Sequence, residues 1–142
     1  MSKPSIVDLV VGDVVASSIR TVTRDSLVRY AGASGDFNPI HYRDDIAEAA
    51  GLPGVLAHGL LTTALAVQTV ADWIGDSTGI VGYETRFTRP VVVDPKRGAS
   101  IEVTATIGSV DHETQTARLD LTVTSAGATV LGKTRVTIYL GP

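Results

Sequence analysis

Hydrophobic and polar positions follow different periods in the two halves of the chain. From Gly79 onward, apolar and polar residues alternate, which is the period of a β-strand with one buried face. Candidate turns at residues 111–114 and 125–127 separate the alternating runs, so the pattern predicts an antiparallel meander. The positions expected to point inward are Ile101, Val103, Ala105 and Ile107 in the first run, Ala117, Leu119, Leu121 and Val123 in the second, and Val130, Thr134, Val136, Ile138 and Leu140 in a third, less regular run.

A long apolar helix is predicted from Gly59 to Ile74, with Gly75 as its stop signal. Its apolar residues occupy more than one face and it contains no Lys, Arg or Glu, so we expect burial over most of its circumference. The predicted fold class is therefore α+β, with a long central helix wrapped by a curved antiparallel β-sheet. The other side of the helix carries Thr62, Thr63, Gln68, Thr69 and Asp72.

Three smaller elements are predicted before the long helix. A strand is expected from Val14 to Val22, and a short helix over residues 44–50 should stop at Gly51. Between them, Thr23 can cap a helix that has Asp25 in its first turn. The apolar face of that helix is predicted to carry Leu27, Val28 and Ala31, and its end is predicted at Gly32 and Gly35.

Composition narrows the class of protein. The 142 residues, 44% of them hydrophobic, predict one domain over residues 1–142 that buries about two-thirds of its extended surface. No apolar stretch is long enough for membrane insertion, and a net charge of −3 without a basic run argues against nucleic acid. The absence of cysteine excludes disulfides, a thiol nucleophile and a Cys-ligated metal. The N-terminal residues lack the apolar core of a signal peptide, which predicts a cytoplasmic location.

Asp36 and His41 form a candidate acid/base pair. On a regular helix they would diverge by about 140°, but Pro39 disfavours the α conformation at Asn38 and so favours a bend that brings them together. An enclosed carboxyl beside an apolar chain is a good proton acceptor near neutral pH, and a histidine can orient a water. The same residues are also ordinary turn-formers, because Asp and Asn side chains bond to their own backbone.

The segment His58-Gly59 lies where the long helix is predicted to start. The first N–H groups of a helix have no internal partner and carry the positive end of its dipole, so the Gly59 N–H could stabilise an enolate oxygen. Alternatively, Gly59 serves only to pack the helix against the sheet.

Three further groups carry weaker signals. His112 is expected to be solvated in a turn, and Asp44-Asp45 is expected to be a helix N-terminus without metal. Arg86 and Arg89 could meet a phosphate but are more typical of a surface.

Three segments resemble known motifs in the order expected of one family. Residues 30–41, containing Gly35-Asp36-Phe37-Asn38-Pro39-Ile40-His41 and followed by Ala47, resemble the signature of the MaoC-like (R)-specific enoyl hydratases. Residues 51–59 are similar to that family's approach to its central helix, and residues 87–91 to its later strand motif. The similarity extends over nearly the whole chain. Length and pattern most resemble the dyad-carrying subunits of two-chain (3R)-hydroxyacyl-ACP dehydratases, whose related partner lacks the dyad.

The resemblance implies a single hot-dog fold and a reversible hydration of trans-2-enoyl thioesters to (3R)-3-hydroxyacyl thioesters. It implies Asp36 and His41 as the catalytic dyad and the Gly59 N–H as the donor to the thioester carbonyl. Asn38, His58 and either Thr62 or Thr63 would support the site. No metal and no other cofactor is implied. The expected partners are an acyl-CoA or acyl-ACP substrate and a second hot-dog chain, in a homodimer or a heterodimer that forms through the sheets.

Two other functions compete with this one. A hot-dog thioesterase would share the helix N-terminus, but the Asp36/His41 spacing is that of the hydratase signature. A non-catalytic partner subunit would be expected to lack the dyad, which is present.

Overall fold

Five antiparallel strands form one sheet, and the longest helix packs on one of its faces. A computed structural model describes residues 3–142. The strand order is β1-β3-β4-β5-β2, which leaves β1 and β2 as the two edges, and the α+β prediction is confirmed. In chain order the elements are β1 (Val14–Val22), α1 (Arg24–Ser34), α2 (Asp44–Ala49), α3 (Gly59–Ile74), β2 (Ile80–Phe87), β3 (Ala99–Asp111), β4 (Thr116–Ser125) and β5 (Ala128–Tyr139), with 3-10 turns at Ile6–Asp8, Pro39–His41 and Ser77–Gly79.

The period-two pattern of the second half correctly predicts which face of each strand is buried. Every residue expected to point inward from β3, β4 and β5 is buried. Both predicted turns join neighbouring strands, β3 to β4 and β4 to β5. The core consequently lies between the inner face of the sheet and α3, and its large fully buried side chains include Leu27, Ile74, Ile101, Leu119 and Ile138.

The α3 helix has the predicted ends and is buried over most of its circumference as expected, and its threonine side belongs to the buried part. Thr62, Thr63 and Thr69 are buried at 2–3% exposure, whereas Leu60 is 58% exposed. The threonine side is buried because its hydroxyls find partners: Thr69 shares a 2.6 Å hydrogen bond with Ser18 of β1, and Thr63 donates to the Gly59 carbonyl at 3.0 Å. A hydroxyl with a partner costs little to bury, so the methyl groups of these threonines join the core.

Two expectations for α1 also need correction. Gly32 lies inside the helix, and only Gly35 ends it, in the left-handed conformation (φ 75°) with its N–H bonded to the Ala31 carbonyl. Val28 is 61% exposed, while Leu27 and Ala31 are buried as expected. The buried stripe of this helix is therefore narrower than the sequence suggests.

Main-chain hydrogen bonds place the α1–α2 loop beside the start of α3. Leu56 donates to the Ile40 carbonyl at 3.1 Å, and Ala57 donates to the Val91 carbonyl at 2.9 Å. Residues 55–57 thus run between the loop at residues 36–41 and the chain that follows β2. Among the described residues, every helix is too short or too polar to cross a bilayer.

Gly98 is a position where the fold requires glycine. Its φ of +70° disfavours a side chain, and a Cβ there would overlap the Val22 carbonyl oxygen. Gly127 has a similar φ of +76° but open space around it. Gly98→Ala is therefore expected to lower the free energy of unfolding by about 1–3 kcal/mol more than Gly127→Ala, measured by urea denaturation. Equal losses in the two variants would contradict the overlap.

Candidate active site

The loop after α1 is held by two successive side-chain-to-backbone turns. The Asn38 N–H donates to Asp36 Oδ1 at 3.2 Å, and the Ile40 N–H donates to Asn38 Oδ1 at 3.2 Å. Pro39 then begins the 3-10 turn that carries His41. The turn chemistry anticipated from the sequence is therefore present, and it is also what brings Asp36 and His41 together.

Asp36 and His41 face each other across a short gap. Asp36 Oδ2 lies 3.9 Å from His41 Nε2, too far for a direct hydrogen bond. The other ring nitrogen, His41 Nδ1, lies 2.7 Å from the Leu56 carbonyl oxygen. Because a carbonyl only accepts, this contact assigns the proton of the neutral ring to Nδ1 and leaves a lone pair on Nε2. Two acceptor atoms therefore point at the same space.

The enclosure expected around Asp36 is not supplied by residues 3–142. The Asp36 side chain is 52% exposed, and Phe37 beside it is exposed as well. His41, by contrast, is buried. The pair thus lies at the mouth of a cleft, with the histidine inside and the carboxyl at the rim.

His58 is the third polar side chain at this place. It is 1% exposed, its ring stacks on His41 with 3.8 Å between ring centroids, and Tyr30 meets its edge at 4.7 Å. Nε2 donates to the Asp36 backbone carbonyl at 3.1 Å, while the buried Nδ1 has no partner among the described residues. Burial lowers the pKa of His58 below its ordinary value, against the opposing effect of the Asp36 carbonyl. The ring is consequently neutral at neutral pH.

Gly59 begins α3 and lines the cleft. Its N–H has no acceptor among residues 3–142, because the first N–H groups of a helix have no internal partner; the helical bonds begin with Leu61 and Thr62, which donate to the His58 carbonyl. A Cβ on Gly59 would come within 2.7 Å of the Phe87 ring. Both readings of this glycine therefore have structural support: it packs against the end of β2, and it presents a free N–H at the positive end of a 16-residue helix.

The two candidate threonines have different surroundings. The Thr63 hydroxyl is used within α3, where it bonds to the Gly59 carbonyl. Thr62 lines the cleft. Of the two, Thr62 is the one whose side chain belongs to the same cavity as Asp36 and His41.

The cleft itself has a volume of about 590 Å³ and is mostly apolar. Arg89 is its one basic lining residue within the described chain, and its guanidinium donates to the Thr129 carbonyl at 3.0 Å. Arg86 lies elsewhere, in a polar cavity of about 180 Å³ with Glu84, Lys133 and Arg135. The shape suits a narrow apolar ligand whose polar end meets the dyad. Its remaining lining residues include Tyr30, Ser34, Leu56, Ala57, Leu60, Phe87, Pro90, Val91, Val130 and Leu131.

Asp36, His41 and His58 are also the one cluster within residues 3–142 whose ligand atoms lie close enough to hold a metal ion, within 4.8 Å of one another. Each ring donates one N–H to a carbonyl, which leaves His41 Nε2 and the buried His58 Nδ1 as the nitrogens that carry a lone pair. With His58 Nδ1 buried, Asp36 and His41 alone of this cluster offer ligand atoms at the cleft, fewer than the three or four protein ligands usual at a transition-metal site, so the arrangement fits proton transfer better than metal ligation.

The weaker candidates lie away from the cleft. Hydrogen bonds from Arg24 to Asp44 and from Arg43 to Asp45 lower the pKa of each carboxyl. The paired aspartates therefore begin α2 as ion-paired surface residues. His112 is exposed in the β3–β4 turn.

Comparisons with known proteins point to one family. A family model described as "MaoC like domain" matches residues 9–126. A Mycobacterium tuberculosis protein named 3-hydroxyacyl-thioester dehydratase X is 33% identical over 82 residues, covering 58% of this chain and 28% of the relative. An (R)-specific enoyl-CoA hydratase of Rhodospirillum rubrum is 26% identical over 117 residues, covering 82% of this chain and 78% of the relative.

Solved structures agree on the fold. A MaoC-like dehydratase superposes with a TM-score of 0.94 at 36% identity, covering 99% of this chain and 43% of the other. A truncated HadBC (3R-hydroxyacyl-ACP dehydratase) complex from M. tuberculosis gives a TM-score of 0.71 at 19% identity, covering 92% of this chain and 98% of the other. The hot-dog fold is thereby confirmed, and the structural neighbours of this chain include the ChsH1-ChsH2 and HadBC complexes of M. tuberculosis. This chain spans less than half the length of the first-named dehydratase and of the 36%-identical structure.

Three contacts at the site carry no signal in the local sequence. Tyr30 and Phe87 appeared only as parts of longer motifs, yet they pack on His58 and Gly59. The Leu56 carbonyl, which fixes the His41 ring, is a backbone group that any residue could supply. All three contacts join segments that are distant in the sequence, which local patterns do not report.

The lowered pKa of His58 predicts a pH dependence of stability. The unfolded ring binds a proton near pH 6.5 and the folded ring only at lower pH. The unfolded state therefore binds more protons as the pH falls from about 7 to 5, and the free energy of unfolding decreases. Backbone N–H bonds also lower the pKa of Asp94 and Asp111, but that contribution is lost only below about pH 4.

This dependence can be measured by urea denaturation between pH 7 and 5. His58→Gln should flatten the decrease, whereas His112→Gln at the exposed turn should leave it unchanged. An unaltered slope in the His58 variant would show that the ring is not a source of the pH dependence.

Proposed function

Because the chain belongs to the MaoC-like domain family, we propose that it catalyses the reversible hydration of trans-2-enoyl thioesters to (3R)-3-hydroxyacyl thioesters. In biosynthesis, the same reaction running in reverse is the dehydration of a (3R)-hydroxyacyl thioester. The observation that carries this proposal is the opposition of Asp36 Oδ2 and His41 Nε2 across 3.9 Å.

The gap between those atoms suits one water molecule. A water oxygen about 2.8 Å from both atoms would donate one proton to each, and the angle between the two acceptors at that oxygen would be about 90°. Asp36 Oδ1 is already occupied by the Asn38 N–H, so Oδ2 is the oxygen free to act. A water that donates both protons keeps a lone pair directed away from the dyad, ready to attack carbon. The tautomer that the Leu56 carbonyl imposes on His41 is what makes this possible.

The proposed hydration proceeds in two proton-balanced steps. The water oxygen bonds to C3 of the enoyl thioester while its proton passes to Asp36, and the C2–C3 π electrons move toward the thioester oxygen. The Gly59 N–H stabilises the resulting enolate at the start of α3. Asp36 then returns the proton to C2, which regenerates the carboxylate. Every group in this sequence belongs to the chain, the water or the substrate, and the proposal uses no metal or other cofactor.

The remaining site residues have supporting roles in this proposal. Asn38 holds the loop through its bond to the Ile40 N–H. Thr62, which lines the cleft, is the threonine we assign to the support of the dyad. The apolar walls of the cleft would take the acyl chain, and Arg89 at its lining would meet the phosphate of the CoA or ACP pantetheine arm.

Two alternatives receive less support. A thioesterase would share the Gly59 N–H and could use the same water, but the spacing of Asp36 and His41 is that of the hydratase signature, and the family model that matches is the MaoC-like domain. A non-catalytic subunit has no need of two acceptor atoms, Asp36 Oδ2 and His41 Nε2, that face each other across a water-sized gap. Hydration removes the conjugated enoyl absorbance without releasing a free thiol, which separates the first alternative by assay.

We further propose that the working form is a dimer with an identical or a related hot-dog chain. The β2 strand is a free sheet edge whose Val81 and Tyr83 are exposed, and it leads directly into the residues that line the cleft. Pairing at this edge would cover apolar surface and enclose the exposed Asp36. We also propose a cytoplasmic location.

Replacing Asp36 by Asn is expected to lower kcat by about 10²–10⁴-fold, because the amide keeps the shape of the side chain but cannot take the proton. The fold should be retained, since the amide oxygen can still accept from the Asn38 N–H. The rate is measured by loss of the enoyl-thioester absorbance. Asp25→Asn, at an exposed carboxyl on α1, is the matched control and should turn over normally. Turnover of the Asp36 variant within twofold of wild type would contradict the mechanism.

The proposed dimer edge is tested by the double substitution Val81→Lys and Tyr83→Lys. Charges on the β2 edge should convert a dimer to a monomer in light-scattering measurements. Ile19→Lys, at an exposed position on the opposite edge strand β1, should leave the dimer intact. If the β1 variant alone dissociates, the interface lies at the β1 edge and the proposed β2 interface is wrong. A wild-type monomer would contradict pairing of identical chains and leave the related chain as the partner.

A further inference from the structure

His58 is a buried polar ring whose presence at this position needs an explanation. It is 1% exposed, and its Nδ1 has no hydrogen-bond partner within residues 3–142, which is unfavourable for a polar atom. It occupies the N-cap position of α3, yet its side chain makes no capping hydrogen bond. An ordinary capping role therefore does not account for a histidine here.

The contacts of the ring join the two halves of the proposed active site. Through the chain, His58 precedes Gly59, whose N–H is the proposed donor to the thioester. Through Nε2, it donates to the backbone carbonyl of Asp36 at 3.1 Å. Through its face, it stacks on His41 with an interplanar angle of 22°.

From these contacts we propose that His58 is a positioning residue, which fixes Asp36 and His41 relative to the N-terminus of α3. The inference rests on the proposed function, since it concerns the distance between the base and the enolate donor of that reaction. We assign His58 a positioning and not a catalytic role, because its ring is 1% exposed and its donor nitrogen is engaged by the Asp36 carbonyl.

The hydrogen bond between His58 and the Asp36 backbone carbonyl can run in one direction only. A carbonyl oxygen only accepts, so Nε2 must carry the proton and Nδ1 must carry the lone pair. This is the opposite tautomer from His41, whose proton lies on Nδ1 beside the Leu56 carbonyl. Burial lowers the pKa of His58, which supports the neutral form that this arrangement needs.

The placement of Asp36 depends on this bond because the loop has few other ties to α3. The Asp36 carboxyl is bonded only within its own loop, to the Asn38 N–H. Without the His58 donor, the Asp36 carbonyl would seek another partner and the carboxyl would move with it. A displacement near 1 Å is enough to lower a rate by about 100-fold.

Two substitutions separate the hydrogen bond from the ring. His58→Gln places an amide N–H at about the same reach as Nε2 but removes the ring. His58→Phe keeps an aromatic face on His41 but removes the donor. We expect the Phe variant to lose about 100-fold in kcat with KM changed less than threefold, and the Gln variant to stay within about fivefold of wild type. His112→Gln, at the exposed turn, is the matched control.

The activities of the Phe and Gln variants decide whether the donor of His58 positions Asp36. Equal activity of the Phe and Gln variants, or a Gln variant weaker than the Phe variant, would overturn the proposal, since the donor would then not be what matters. A Phe variant that recovers wild-type kcat would overturn it as well. Urea unfolding of each variant shows whether a lost rate reflects lost folding.

A second measurement does not depend on any variant folding. Nitrogen-15 NMR of the wild-type imidazoles at pH 7 should show His58 protonated at Nε2 and His41 at Nδ1. A His58 ring protonated at Nδ1 would overturn the proposal even if the enzyme is active. Conversely, an inactive wild type with the expected tautomers would count against the proposed function and not against the hydrogen bond, so the two failures are distinguishable.

Discussion

The architecture of the candidate active site depends on a reciprocal pair of hydrogen bonds between two segments of the chain. His41, in the loop after α1, donates to the Leu56 carbonyl, and His58, at the start of α3, donates back to the Asp36 carbonyl. The two rings stack between these bonds, which ties the loop that carries Asp36 and His41 to the segment that carries Gly59. Because carbonyls accept only, both tautomers are fixed by the fold and not by the solvent. The proposed chemistry follows from that fixed pattern of protons and lone pairs.

The sheet and α3 provide the support that this pair of bonds requires. The helix is anchored to the sheet by its threonine side, including the bond from Thr69 to Ser18 of β1. Its first residues then emerge beside the end of β2, where the Phe87 ring covers Gly59. Residues 55–57 are tied on one side to Ile40 and on the other to Val91, which fixes the angle at which His58 enters the site. A rigid core therefore carries a site whose rim, at Asp36, stays open.

The sequence predicted the fold wherever a pattern is local. The alternation in β3, β4 and β5, the ends of α3 and the turn-forming residues around Pro39 all follow from the preferences of neighbouring residues. The burial of Thr69 could not be predicted in this way, because its hydroxyl partner, Ser18, lies 51 positions earlier. The same reason applies to His58: its position at a helix start was visible, but its contact with Asp36 depends on how two distant segments meet. The exposure of Asp36 likewise depends on what covers the cleft rather than on its own neighbours in sequence.

In the proposed mechanism, one carboxylate both takes the proton of the attacking water and returns it to the adjacent carbon. Hydration of a trans-2-enoyl thioester in D₂O, with the product examined by NMR and chiral analysis, separates this single-carboxylate mechanism from its alternatives. Because Asp36 acts from one side of the substrate, we expect a (3R)-hydroxyacyl thioester with a single deuterium at C2, on the same face as the hydroxyl group, and no free thiol. Deuterium on the opposite face would require a second acid, and thiol release without hydration would indicate a thioesterase; either result would rule out the proposed mechanism.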